Sequence, residues 1–177
     1  VVRQLMDRAD TERLAHEIER AFETRAAVGI EGSDDDGYYD ELQTVAPYVV
    51  ERSERRWAFE GGGILAADSP RLLFGVLNSF DRAGLREILT AYLGETALMS
   101  AQKCTLRKAV PEVSGAWHQD GRFLGAVRSL NVWLTLSRCG DVAPSLDIVP
   151  GRQDVLVPAG TDGTECLCAA LFDDWND

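Results

Sequence analysis

The stretch that decides the predicted fold is Ser129-Leu130-Asn131-Val132-Trp133-Leu134-Thr135-Leu136. Successive side chains of a β-strand point to opposite faces, so this segment would place aliphatic side chains on one face and Asn131, Trp133 and Thr135 on the other. A polar and aromatic face opposite an aliphatic one is typical of a barrel interior that holds a polar ligand. We therefore predict a strand over residues 129–136 that lines a ligand-binding cavity.

Further strands are predicted on both sides of this segment. They cover residues 99–108, 146–149 and 167–172. In each segment, polar and apolar side chains alternate or a short run of apolar side chains occurs. Pro150-Gly151 ends the middle segment. Short strands separated by Gly and Pro turns are common in β-sandwiches and barrels.

The N-terminal half of the chain is predicted to be helical. Apolar side chains recur at helical spacing over residues 11–24, 70–80 and 82–93. Asp10 or Thr11 is the expected N-cap of the first helix. Ser69-Pro70 begins the second helix, and Gly94 supplies the left-handed residue that ends the third.

Two irregular segments interrupt these helices. Residues 31–40 hold three consecutive aspartates, but their spacing does not fit a calcium loop, so we expect a solvated acidic loop. Gly61-Gly62-Gly63 lacks the strand and the Lys-Ser/Thr that a phosphate-binding loop requires, so we expect a flexible loop there.

Length and composition favour one domain with a sizeable core. The chain has 177 residues, of which 45% are hydrophobic and 27% charged. Helices followed by strands indicate an α+β domain, with residues 1–95 mainly helical and residues 96–177 carrying the strands. The four cysteines do not resemble a secreted disulfide framework, so we expect free, partly buried thiols at Cys104, Cys139, Cys166 and Cys168.

The net charge of the chain argues against two classes of binding partner. Lys and Arg total 18 against 29 Asp and Glu, a formal net charge of −11, which argues against binding to nucleic acid or to an anionic membrane surface. No apolar run approaches the roughly 20 residues that span a bilayer. We expect a soluble, cytoplasmic protein that acts on a small molecule, and the sequence leaves its oligomeric state open.

His118-Gln119-Asp120, preceded by Trp117, is the candidate metal site. In an extended segment His118 and Asp120 point to the same side, as two adjacent ligands of one metal ion do. A non-haem Fe(II) centre uses two histidines and one carboxylate on a single face. The other histidine of the chain, His16, lies off the apolar stripe of the first helix, so we expect it on the solvated surface.

Residues 102–153 resemble the phytanoyl-CoA dioxygenase family of Fe(II)- and 2-oxoglutarate-dependent oxygenases. The motifs that carry the resemblance are Lys108, Trp117-His118-Gln119-Asp120-Gly121, Asn131-Val132-Trp133-Leu134 and Ile148-Val149-Pro150-Gly151-Arg152. The resemblance implies a double-stranded β-helix, or jelly-roll, core that the N-terminal helices buttress. It also implies Fe(II) as the metal, 2-oxoglutarate as co-substrate and O₂ as oxidant.

The resemblance assigns roles to individual residues. It makes His118 and Asp120 the iron ligands. The residues implied to border the co-substrate are Lys108, Trp133, Gln102 and Asn131. Arg122 and Phe123 follow the ligands at the mouth of the implied barrel, where they would contact substrate or form an ordinary surface turn.

The chain departs from the family at its C-terminal end. The family completes its iron site with a distal histidine and binds the far carboxylate of 2-oxoglutarate with an arginine beyond it, but no histidine follows His118 and no arginine follows Arg152. Residues 170–175 resemble the strand that leads into that histidine. We therefore expect a C-terminally incomplete fold whose missing ligand lies a few residues past Asp177, so the chain as given would hold iron weakly and turn over little.

Two other classes of protein remain open. A non-catalytic jelly-roll binding module that has lost the distal histidine would explain the missing ligand without truncation. A metal-dependent hydrolase or a cupin-like enzyme could use the His-x-Asp pair, but such a site normally needs further histidines.

Overall fold

The structure, a computed structural model, describes residues 2–29, 32–40, 52–100, 103–109, 129–141 and 143–146. The chain divides into two compact units. The first comprises Val1–Pro111 and Leu134–Ser145, and the second comprises Glu112–Trp133 and Leu146–Asp177. The described residues of the second unit, 129–133 and 146, are exposed and belong to neither helix nor strand.

The first helix, α1, spans Arg8–Val28 and is longer than the predicted 11–24. Its N-cap is Asp7, whose carboxylate accepts a hydrogen bond from the backbone N–H of Asp10 at 2.7 Å. The cap predicted at Asp10 or Thr11 is therefore wrong, because Asp7 already satisfies an N–H of the first turn. His16 is exposed on α1, as predicted.

An additional helix, α2, spans Arg52–Glu60 and leads into the three glycines; the apolar spacing did not predict it. Strand β1, Gly63–Leu65, pairs antiparallel with β2, Thr105–Arg107, with Ile64 opposite Leu106. The glycines are thus not a flexible loop. Gly62 turns the chain at φ 74°, and a Cβ on Gly63 would approach the carbonyl oxygen of Ala58 to 3.1 Å.

The other two helices begin and end close to the predicted positions. Helix α3 spans Pro70–Arg82 with Ser69 as N-cap, and α4 spans Leu85–Leu93 with Gly94 left-handed at φ 73°. A 3₁₀ turn, Ala66–Asp68, connects β1 to α3. The Ser-Pro start of α3 and the glycine end of α4 are confirmed.

A hydrophobic core joins α1, α3, the β1–β2 ladder and the loop before α2. Its buried members are Leu14, Ala21, Tyr38, Tyr39, Ile64, Ala66, Leu72, Val76 and Leu106. The two tyrosines anchor the acidic loop, in which Asp34 accepts a hydrogen bond from the Tyr39 N–H at 2.7 Å. The prediction of a solvated loop holds for Asp35 and Asp36, which are exposed, but its tyrosines belong to the core.

The predicted strands are realised only in part. Of residues 99–108, three form β2, and residues 129–136 form no strand. A strand requires a hydrogen-bonded neighbour, and within the described residues β1 and β2 form the only sheet. The strand predicted at 167–172 and nearly all of that at 146–149 lie outside the described residues, so the jelly roll stays a prediction. Within the same residues, no helix is long and apolar enough to cross a membrane.

Candidate metal and co-substrate site

The predicted iron ligands, His118 and Asp120, lie outside the described residues, as do Gln102, Arg122 and Phe123. Within the described ranges, no group of three or more His, Cys, Asp and Glu side chains is arranged to hold a metal ion.

The motif offers side chains suited to two of the three ligand positions of a facial Fe(II) site. His118 offers an imidazole nitrogen and Asp120 a carboxylate oxygen, and a facial Fe(II) site combines these two ligand types. His16 is exposed on α1, and no other described histidine could supply the third ligand. The residues present thus fit the metal as a partial ligand set.

Lys108 is the one predicted co-substrate residue that the described part of the first unit contains. It directly follows β2, and its backbone N–H donates a hydrogen bond to the carbonyl oxygen of Gly62 at 2.8 Å. Because it lies two residues beyond the buried Leu106, its side chain leaves the ladder on the same side as the core. The backbone of Lys108 is therefore fixed by the sheet.

The side chain of Lys108 forms an ion pair with Glu19 of α1. About half of each side chain is exposed, 50% for Lys108 and 47% for Glu19. This contact joins the end of β2 to α1 across the edge of the core. No local pattern predicts this contact, because the two residues are 89 positions apart.

Asn131 and Trp133 belong to the second unit, and both are exposed, Trp133 by 53%. They were predicted to share the inner face of a strand. Since residues 129–136 form no strand, that shared face is not present in the described structure, and their predicted role at the co-substrate stays untested.

The structure reveals a buried charged cluster that sequence reasoning missed. Arg55 of α2 binds Asp68 through two hydrogen bonds, Nε to Oδ2 at 2.8 Å and Nη2 to Oδ1 at 3.1 Å. Only 5% and 3% of the two side chains are exposed. In the sequence Arg55 stands in an ordinary charged run, and Asp68 resembles a residue preceding a helix cap, so neither position signals burial.

Two aromatic side chains and a second arginine complete this cluster. The guanidinium carbon of Arg25 lies 3.2 Å from the ring centroid of Phe59, a cation–π contact. Burial raises the pKa of the Tyr39 hydroxyl, the charge of Asp68 adds to the rise, and Arg25 opposes it. The neutral phenol is thus favoured within the cluster.

The cleft lined by this cluster is too small for a co-substrate. Its volume is about 10 Å³, which is at the lower limit for one ordered water molecule. The lining pairs Arg55 with Asp68 and stacks Arg25 on Phe59. Its chemistry is that of a structural ion-pair cluster.

In comparisons with known proteins, no family model, no curated protein and no solved structure matches this chain.

Proposed function

We propose that this chain belongs to a non-haem Fe(II)- and 2-oxoglutarate-dependent oxygenase that hydroxylates a small organic substrate. The observation that carries the proposal is the occurrence of Trp117-His118-Gln119-Asp120 and Val149-Pro150-Gly151 in one stretch of sequence, downstream of Lys108. A bare His-x-Asp is a common accident. The second motif and the lysine argue against a chance occurrence.

The metal would be held by two side chains of the motif. His118 would bind through an imidazole nitrogen and Asp120 through a carboxylate oxygen, both in their deprotonated forms. When bound, the iron would supply the activation of O₂ and the oxidative decarboxylation of 2-oxoglutarate to succinate and CO₂, coupled to hydroxylation of the substrate.

Lys108 would bind a carboxylate of 2-oxoglutarate. Its ammonium is a compact charge on a flexible stem, and a charge-assisted hydrogen bond to a carboxylate contributes about 1.5–3 kcal/mol. The ladder hydrogen bond to Gly62 fixes the backbone of Lys108, so only the side chain has to be ordered on binding. This supports Lys108 as an anchor whose backbone is already in place.

The remaining candidates would border the ligands. We propose that Trp133, Asn131 and Gln102 line the co-substrate and that Arg122 and Phe123 contact the substrate. The apolar rings would exclude water from the reacting C–H bond, and the amides would orient polar groups of the ligand.

The substrate is proposed to be a small organic molecule and not an acyl-CoA. The formal net charge of the chain is −11, and the phosphates of coenzyme A favour cationic surfaces. A small polar metabolite or a natural-product intermediate fits an acidic protein better.

A non-catalytic binding module is the second candidate. The observation that favours it is that, within the given sequence, no second histidine follows His118. Such a module would bind its ligand without a metal requirement.

Calorimetric titration of 2-oxoglutarate into the protein, with and without saturating Mn(II) as a redox-inert substitute, tests the proposal. We expect binding that requires the metal, is lost in His118→Ala and persists in His16→Ala, the matched control on the surface of α1. Metal-independent binding, or no binding, would contradict the oxygenase and favour the second candidate.

A further inference from the structure

The only two lysines of this chain, Lys103 and Lys108, have different surroundings. Lys108 is paired with Glu19. Lys103 is exposed, and no described residue forms an ion pair with it. The one lysine with a proposed ligand is thus the one whose ammonium already contacts a carboxylate.

We propose that Glu19 is a built-in competitor for the co-substrate: its carboxylate occupies the ammonium of Lys108 until a carboxylate of 2-oxoglutarate displaces it. This inference rests on the proposed function, since it takes Lys108 as the 2-oxoglutarate contact. It adds a positioning residue on α1 that no sequence motif indicated.

The geometry allows this exchange without unfolding. Lys108 is held by its backbone in the ladder, and Glu19 lies on a helix whose Leu14 and Ala21 are fixed in the core. Both side chains are about half exposed, so a dissolved carboxylate can reach Lys108 and the Glu19 side chain can turn to water. The exchange therefore uncovers no buried apolar side chain.

The expected size of the effect is modest. An exposed ion pair contributes little because water screens it, and its loss corresponds to at most about a fivefold change in an equilibrium constant. After displacement the carboxylate of Glu19 stays close to a bound dianion and repels it, an effect that salt weakens. Removing the charge of Glu19 should thus tighten 2-oxoglutarate binding about two- to fivefold at low ionic strength.

The first test measures the contact itself. Mild acetylation followed by mass spectrometry gives the rates at Lys108 and Lys103 in one sample, so Lys103 is an internal reference. We expect Glu19→Gln to raise the Lys108-to-Lys103 ratio, because the ion pair no longer shields the amine. Glu23→Gln, the matched control, removes the same charge one turn further along α1 and should leave the ratio unchanged.

The second test measures competition. The dissociation constant of 2-oxoglutarate is determined with saturating Mn(II) in the wild type, Glu19→Gln and Glu23→Gln. We expect about two- to fivefold tighter binding in Glu19→Gln alone, a difference that shrinks in high salt, and protection of Lys108 from acetylation by 2-oxoglutarate.

The outcomes separate this inference from the proposed function. One result would reject only the inference that Glu19 competes for Lys108. In it the wild type binds 2-oxoglutarate with protection of Lys108, but Glu19→Gln binds no tighter than Glu23→Gln, and the proposed function stands. If no variant binds 2-oxoglutarate and Lys108 is never protected, both the proposed function and the competitor are wrong.

Discussion

Arg55 and Asp68 form a two-point ion pair with both side chains almost fully buried, at 2.8 and 3.1 Å. The pair joins α2 to the 3₁₀ turn before α3. Removal of one partner leaves the other charge buried and uncompensated, so we expect Arg55→Ala to lower the free energy of unfolding by about 3–5 kcal/mol.

Arg56 is a matched control for this prediction, because its ion pair with Glu60 is exposed, 71% and 63% for the two side chains. Arg56→Ala should change the free energy of unfolding by no more than about 1 kcal/mol. Urea denaturation of both variants measures the difference. Equal decreases in the free energy of unfolding of the two variants would show that burial of the Arg55–Asp68 pair does not increase its contribution to stability.

The N-caps of α1 and α3 should respond differently to alanine. Asp7 accepts a hydrogen bond from the N–H of Asp10, so Asp7→Ala should cost about 1 kcal/mol. The Ser69 hydroxyl is buried and makes no hydrogen bond with the described residues. Ser69→Ala should therefore be neutral or stabilising, since it removes an unsatisfied polar group. A decrease in the free energy of unfolding in Ser69→Ala as large as that in Asp7→Ala would contradict this prediction.

Tyr39 should make the fold sensitive to alkaline pH. Burial raises the pKa of its hydroxyl above the ordinary value of about 10. Above that value the unfolded chain releases its proton while the folded chain keeps it, so stability falls as pH rises through and beyond about 10. The slope of the unfolding free energy against pH should be smaller in Tyr39→Phe, and an identical slope would exclude the phenol as its source.

Cys104 should react slowly with alkylating reagents. Burial raises the pKa of its thiol, which lowers the fraction of reactive thiolate at a given pH. Its alkylation rate at pH 8, followed by peptide mass spectrometry, should be below that of the same peptide in denaturant. A rate equal to that of the denatured peptide would mean that Cys104 is not protected by the fold.

The helix ends were predicted correctly where a residue type by itself favours starting or ending a helix. Ser69-Pro70 and Gly94 act through the conformations that proline and glycine favour, and these need no distant partner. The start of α1 was missed because Asp7 and Asp10 are equally suitable caps by residue type, and only the folded hydrogen bond distinguishes them. Helix α2 was missed because six of its nine residues are charged or polar and its three apolar residues are consecutive.

The ion pairs of Lys108 and Arg55 could not be predicted, because each joins two separate elements, over 89 and 13 positions of the sequence. The Lys108–Glu19 pair depends on how α1 lies against β2, and the Arg55–Asp68 pair on how α2 meets the turn after β1. Residues 129–136 illustrate the converse, since strong alternation did not produce a strand where no described neighbour pairs with it. The alternation of polar and apolar residues predicts which side chains share a face, but strand formation also depends on the residues that pack against that face.

Anaerobic absorption spectroscopy tests our proposal that His118 and Asp120 hold iron for 2-oxoglutarate chemistry. Fe(II) is titrated to saturation into the protein with 2-oxoglutarate present. We predict a weak visible charge-transfer band that requires both components, disappears in His118→Ala and Asp120→Ala, and persists in His16→Ala. Absence of the band in the wild type at saturating iron, or its persistence in His118→Ala, would contradict the account.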